Sequence, residues 1–122
     1  MTTGWKLDHD QRSALLARHP PRYAQAVADH VTLLANHAGG MTADPPEPVG
    51  AACIVGHADD GAGVEAMVVA IDGSTRRPDD GIWHVTWSLA EGRTAKESNA
   101  VIARLGWQAL DGGPLNLEPA RW

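Results

Sequence analysis

Two short stretches of the chain carry the same set of chemistry-bearing side chains: His30-Val31-Thr32-Leu33 and His84-Val85-Thr86-Trp87. Side chains alternate between the two faces of a strand. An extended His-x-Thr therefore presents an imidazole and a hydroxyl side by side, and turns its apolar residues to the other face. On that alternation Ser88 joins His84 and Thr86, while Trp83, Val85, Trp87 and Leu89 oppose them. Two such strands lying together would bring two imidazoles and two hydroxyls to one cleft. Histidine titrates near neutrality, so one ring can take a proton while the other gives one in the same turnover. Threonine hydroxyls can donate to the non-bridging oxygens of a phosphate held between the rings. The scheme needs no metal, cofactor, carboxylate pair or thiolate.

The remaining polar residues carry weaker signals. His9, His19, His37 and His57 have no ligand-like spacing, so no metal site is expected. Arg93 is open to either a phosphate or solvent, and Ser98 and Asn99 to either an anion at a helix start or water. Tyr23, Trp83 and Trp87 are large enough to stack on a base, but the alternation turns Trp83 and Trp87 towards the core. Cys53, mid-strand among Ala and Ile, reads as a small buried hydrophobe. No phosphate-loop, dinucleotide or Gly-x-Ser-x-Gly fingerprint is complete.

Positioning these residues falls to an alternating series of elements. Asp8 and Gln11 stand as a capping box for a helix that stops before Pro20-Pro21. Tyr23 to Ala28 reads as short helix or extended chain, and Asp29 to Ala35 as a strand. A Gly-, Pro- and Asp-rich loop, the most mobile part expected, covers Asn36 to Pro48. Val49–His57 and Val64–Ile71 read as a hairpin closed by the turn Ala58–Gly63. After a second loop, Asp72 to Gly81, comes the clearest strand, Ile82–Leu89. Thr94 and Glu97 form a second capping box, for a helix that puts Ser98, Val101, Ile102 and Leu105 on one face and ends at Gly106. Trp107–Leu110 and Leu115–Trp122 add short strands on either side of Asp111-Gly112-Gly113. The expected fold is a single α+β domain over residues 1–122, with a largely antiparallel sheet and two flanking helices.

Composition narrows the class of function. The chain has 122 residues, 43% hydrophobic and 20% charged, as a globular domain has. It has no apolar run of about 18 or more, so no membrane span is expected. The opening MTTGWKLDHD lacks the apolar core of a secretory signal, and Cys53 is the single cysteine, so the chain reads as cytoplasmic. Net charge is −5, with the basic residues scattered. Binding along long duplex DNA is not expected, because counterion release at a basic face supplies much of such affinity. Five Trp and one Tyr with no Phe suit either a small core or a stacking wall.

The two His-x-Thr motifs on strands resemble those of the two-histidine phosphoesterases, among them RNA ligase-like proteins and the cyclic phosphodiesterase domains of tRNA ligases. The flanking His19-Pro20-Pro21-Arg22-Tyr23 and Gly92-Arg93-Thr94-Ala95-Lys96-Glu97-Ser98-Asn99 look like small RNA-repair-associated members of that group. The likeness runs from about Asp8 to Leu105, with Asp29 standing where an apolar residue is usual. It implies a compact bilobal fold and a metal-independent phosphodiesterase that opens a 2′,3′-cyclic or related cyclic phosphate at a nucleotide or RNA end. His30 and His84 would be catalytic, in an order the sequence does not give, and Thr32 and Thr86 would hold the phosphate. The alternative is a non-catalytic module that binds nucleotide or RNA ends on the same fold. A third reading is an interaction domain built on clustered exposed Trp.

Overall fold

The computed structural model describes residues 2–34 and 44–122. The elements run β1 (Thr3–Leu7), α1 (His9–Arg18), β2 (Gln25–Ala26), β3 (His30–Leu34), β4 (Ala52–Asp59), β5 (Val64–Ile71), β6 (His84–Leu89), α2 (Glu97–Leu105), β7 (Gln108–Pro114) and β8 (Leu117–Arg121). The fold is α+β, with two antiparallel sheets. One has the order β3-β1-β8, the other β2-β6-β5-β4-β7. No helix among the described residues is long and apolar enough to cross a membrane. The loop expected over Asn36 to Pro48 lies largely outside the described residues.

The two sheets share a core. Trp5, Leu15, Val31, Ile54, Met67, Val85 and Trp87 pack in one cluster that joins both sheets to α1. A second cluster, with Val64, Ala66, Val68 and Leu89, lies against Val101 and Ile102 of α2. The central strands β5 and β6 are therefore buried on both faces, which is why Val64–Ile71 is apolar at every position but Glu65 and shows no alternation.

The crossing between the sheets places the first motif. The Ala28 N–H bonds to Thr86 O on β6 at 2.9 Å, and the very next residue, Asp29, offers its carbonyl to Leu7 N on β1 at 3.0 Å. The chain turns there through Ala28 at φ 41°, an uncommon region for a residue with a Cβ. Arg12 of α1 holds the bend, with Nε and Nη2 donating to Ala28 O and Val27 O, each at 3.0 Å. His30 thus starts a strand of one sheet directly beside β6 of the other.

Several local expectations change. Asp8 caps α1 through Gln11 N, but the Gln11 side chain turns away to Pro114 O and Asn116 N. Glu97 reaches back to Thr94 N, yet α2 begins only at Glu97, and Lys96 caps it without a side-chain bond. Leu105 is exposed, so the buried face of α2 is Ser98, Val101 and Ile102. The Asp111-Gly112-Gly113 stretch lies inside β7 rather than between two strands, because Gly112 packs against the Ile54 side chain where a Cβ would clash at 2.5 Å. Cys53 is half-buried, on the more open face of β4.

Candidate active site

His30 and Thr32 from β3 and His84 and Thr86 from β6 line one cavity of about 220 Å³ where the two sheets meet. The histidines do not sit on hydrogen-bonded neighbours within one sheet. They reach the cavity from different sheets. All four residues singled out by sequence come together, but Ser88 does not. In the β5–β6 register Ser88 pairs with Glu65 and Thr86 with Ala66, leaving Trp87 as an extra residue. A bulge of this kind reverses the phase of the side chains beyond it. Ser88 therefore turns to the opposite side, where its hydroxyl donates to Glu65 Oε1 at 2.6 Å. Leu89 correspondingly moves to the α2 side.

A second bulge lies on the β3 side. Gly4 pairs with Thr32 and Thr3 with Leu34, so Leu33 is the unpaired residue. A Cβ on Gly4 would stand 2.1 Å from Val31 O, so only glycine lets β1 approach here. That approach fixes the height of His30 and Thr32 at the cavity wall.

Both imidazoles are held by Nδ1. His84 Nδ1 donates to Ile82 O at 2.8 Å, since a carbonyl can only accept, and this leaves its Nε2 as the other ring nitrogen. Burial pushes the His84 pKa below 6.5; the Ile82 bond and the Asp79 charge oppose this, while the nearby Arg77 and His30 add to it. The neutral form of the His84 ring is therefore favoured. His30 Nδ1 faces Asp29 Oδ2 at 3.0 Å, and Asp29 also pairs with Lys6. Burial raises the Asp29 pKa, but the Lys6 and His30 hydrogen bonds and charges outweigh it, and the carboxyl lies below its usual value. Trp122 tilts over the His30 ring with centroids 4.5 Å apart.

The two hydroxyls differ. Thr86 Oγ1 donates to Ala95 O at 3.1 Å and lies 2.9 Å from Ser98 Oγ, so its own proton is committed. Thr32 lines the cavity, and among the described residues its hydroxyl has no hydrogen-bond partner. Arg77, Asp79 and Lys96 also line the cavity, and Asp29 contacts His30 from outside it; sequence reasoning passed over all four as site residues. Asp29 could have been found from its place beside His30. Arg77 could not, because it comes from a loop with no motif.

Other candidates resolve as structural. Arg93 neither contacts the cavity nor is free in solvent. It ties the β4–β5 turn to α2 through Ala62 O, Asp60 Oδ2 and Glu97 Oε1. Trp5, Trp83 and Trp87 are buried, Trp5 and Trp83 edge to face at 5.5 Å, and Trp107 is exposed apart from them, so the Trp residues form no exposed cluster. Tyr23 donates to Asp59 Oδ1 at 2.6 Å, away from the histidines. Buried Glu65 accepts from Arg22 N and Ser88 and meets His57 Nε2 at 2.8 Å. Among the described residues no cluster of three or more His, Cys, Asp or Glu has the arrangement of a metal site.

No family model, curated protein or solved structure matches the chain. The functional reading rests on the site itself.

Proposed function

We propose that the protein is a metal-independent phosphodiesterase that opens a 2′,3′-cyclic or related cyclic phosphate at a nucleotide or RNA end. The observation that carries this reading is the convergence of two imidazoles, each anchored by Nδ1, on one small cavity. Its volume is below the roughly 300–1,000 Å³ of pockets that engulf a drug-sized ligand. It suits a phosphate and its sugar, with the base left outside. A site for a terminus also fits the acidic net charge, and the single cysteine fits a cytoplasmic setting.

The environments of the rings support a division of roles. His84, its neutral form favoured by burial, offers Nε2 as general base to a water. The water oxygen bonds to phosphorus as the bond from phosphorus to one ribose oxygen breaks. His30 delivers a proton to that oxygen, and Asp29 orients its ring and balances its charge. Thr32 donates to a non-bridging oxygen. The product is a phosphate monoester, and the proton taken by His84 passes to solvent to reset the pair.

The test is turnover of a 2′,3′-cyclic nucleotide with EDTA present. His30→Ala and His84→Ala should each lower the rate on the order of 10²-fold or more, the usual worth of a lost acid or base. EDTA should leave the rate unchanged, because no step uses a metal to make the nucleophile. Binding of the nucleotide without turnover would favour a module that only holds RNA ends. Activity abolished by chelation and restored by zinc or manganese would overturn the mechanism.

A further inference from the structure

Thr86 is poorly placed to stabilise a phosphate, because its one proton goes to Ala95 O. Charge builds on the non-bridging oxygens during hydrolysis, so the cavity needs another donor. We infer that Arg77 is that donor and contacts the reacting phosphate directly; this rests on the phosphodiesterase reading above.

Arg77 comes from the loop before β6 and lines the cavity beside His84. It is only 9% exposed. Burying a guanidinium costs desolvation that must be offset by partners. Its carboxylate partner, Asp79, accepts from Nε at 2.8 Å but is itself 50% exposed. Nη2 donates to Asn99 Oδ1 at 3.1 Å, a neutral acceptor. A guanidinium has five N–H donors, and none of the hydrogen bonds among the described residues uses Nη1. A half-solvated carboxylate and one amide under-serve a buried cation. A phosphate in the cavity would complete the set through charge-assisted bonds.

The loop is shaped to hold this side chain. Arg77 N bonds to Gly81 O at 2.9 Å and Asp80 N to Arg77 O at 3.0 Å, closing a tight turn. Asp80 takes φ 68°, strained for a residue with a side chain. A Cβ on Gly81 would stand 2.6 Å from Arg77 Nη2 and 2.8 Å from Asp79 Oδ1. Gly81 thus leaves the space in which the guanidinium lies. Asp79 and Asn99 are positioning residues, fixing the fork from opposite ends. No new bond-making step is added: Arg77 receives negative charge while the two histidines move the protons.

The experiment pairs Arg77→Gln and Arg77→Lys with two readouts. In turnover of a 2′,3′-cyclic nucleotide, Arg77→Gln should lose on the order of 10²–10³-fold in kcat/KM, the worth of a lost transition-state donor. Its acidic limb should move up while staying below the ordinary histidine value, because burial, the main cause of the lowered His84 pKa, remains and only the Arg77 charge is removed. Arg77→Lys should keep the position of that limb while recovering little of the rate. Inorganic phosphate should shift the Arg77 side-chain N–H resonances of the wild-type protein, a measurement independent of whether a variant folds. No shift at saturating phosphate, or a folded Arg77→Gln with unchanged kcat/KM and limb, would overturn the proposal. A phosphate-induced shift in a protein that turns over no cyclic phosphodiester would keep the Arg77 site and retire the hydrolase reading.

Discussion

The two imidazoles share a mode of attachment and differ in what holds them. His84 gives its Nδ1 proton to a backbone carbonyl and is almost enclosed, so its charged form loses hydration. His30 meets a carboxylate and keeps a more open ring. In the proposed mechanism this asymmetry is the ground for taking His84 as the base and His30 as the acid, a choice the two motifs left open. It also sets the pH dependence. A base must be neutral, and its pKa lies below 6.5. The acidic limb of kcat/KM should therefore fall below the ordinary histidine value, with an alkaline limb where the second ring loses its proton. Assays of kcat/KM from about pH 4.5 to 9 would show this bell. An acidic limb at or above 6.5 would mean that His84 is not the base. The motif residues were legible because strand alternation is a local rule. The roles were not, because burial and the Ile82 carbonyl belong to the tertiary structure.

At the level of elements, β6 carries both one wall of the cavity and the centre of the core. Sequence alternation correctly sent Val85 and Trp87 inward, and Trp87 is fully buried, with Nε1 donating to His19 O at 2.9 Å. The same rule misplaced Ser88 and Leu89, because a bulge adds one residue against β5 and no local signal marks it. The N-terminal strand β1 was not anticipated either: TGWKL contains a glycine and a lysine and lacks strand character. It is a strand because β3 and β8 flank it on both edges. Trp87→Ala should cost about 3–5 kcal/mol, the range for a large aromatic lost from a core, read as a lower urea midpoint at unchanged slope. His84→Ala should cost less, since its one side-chain bond is to the Ile82 carbonyl and its ring lines the cavity. Should the His84 change prove the more destabilising, the division of β6 into a core side and a cavity side fails.

Across the whole molecule, the α+β class and the convergence of the motifs were readable, but the division into two sheets was not. That division depends on the bend at Ala28, where an unremarkable alanine takes a positive φ because Arg12 and Thr86 bind its carbonyl and amide. A fold that buries histidines at such a seam acquires an acid sensitivity. His84 and His19 both have lowered pKa values, each mainly through burial; the neighbouring Arg18 and His57 add to the effect at His19. In the unfolded chain these rings take protons near 6.5, while in the folded chain they resist until lower pH. The unfolded state then binds more protons, so stability is full above about pH 6.5 and falls as pH drops towards the lowered folded values. A second decline belongs to carboxylates with lowered pKa. Arg77 lowers Asp79, and the Thr94 amide, with Arg93, lowers Glu97 against burial. At Asp60 burial raises the pKa, and the Ala62 and Val64 amides with Arg93 outweigh it. Their contribution is present above the ordinary carboxyl range and is lost as pH falls through their lowered values. Urea unfolding at half-unit steps from pH 7.5 to 3 should therefore show two descending stages, and His84→Gln should flatten the upper one by removing one of its two titrating groups. Stability that stays level between pH 7.5 and 5 in the wild-type protein would show that His84 and His19 charge as readily folded as unfolded, and the neutral base at the cavity would lose its physical basis.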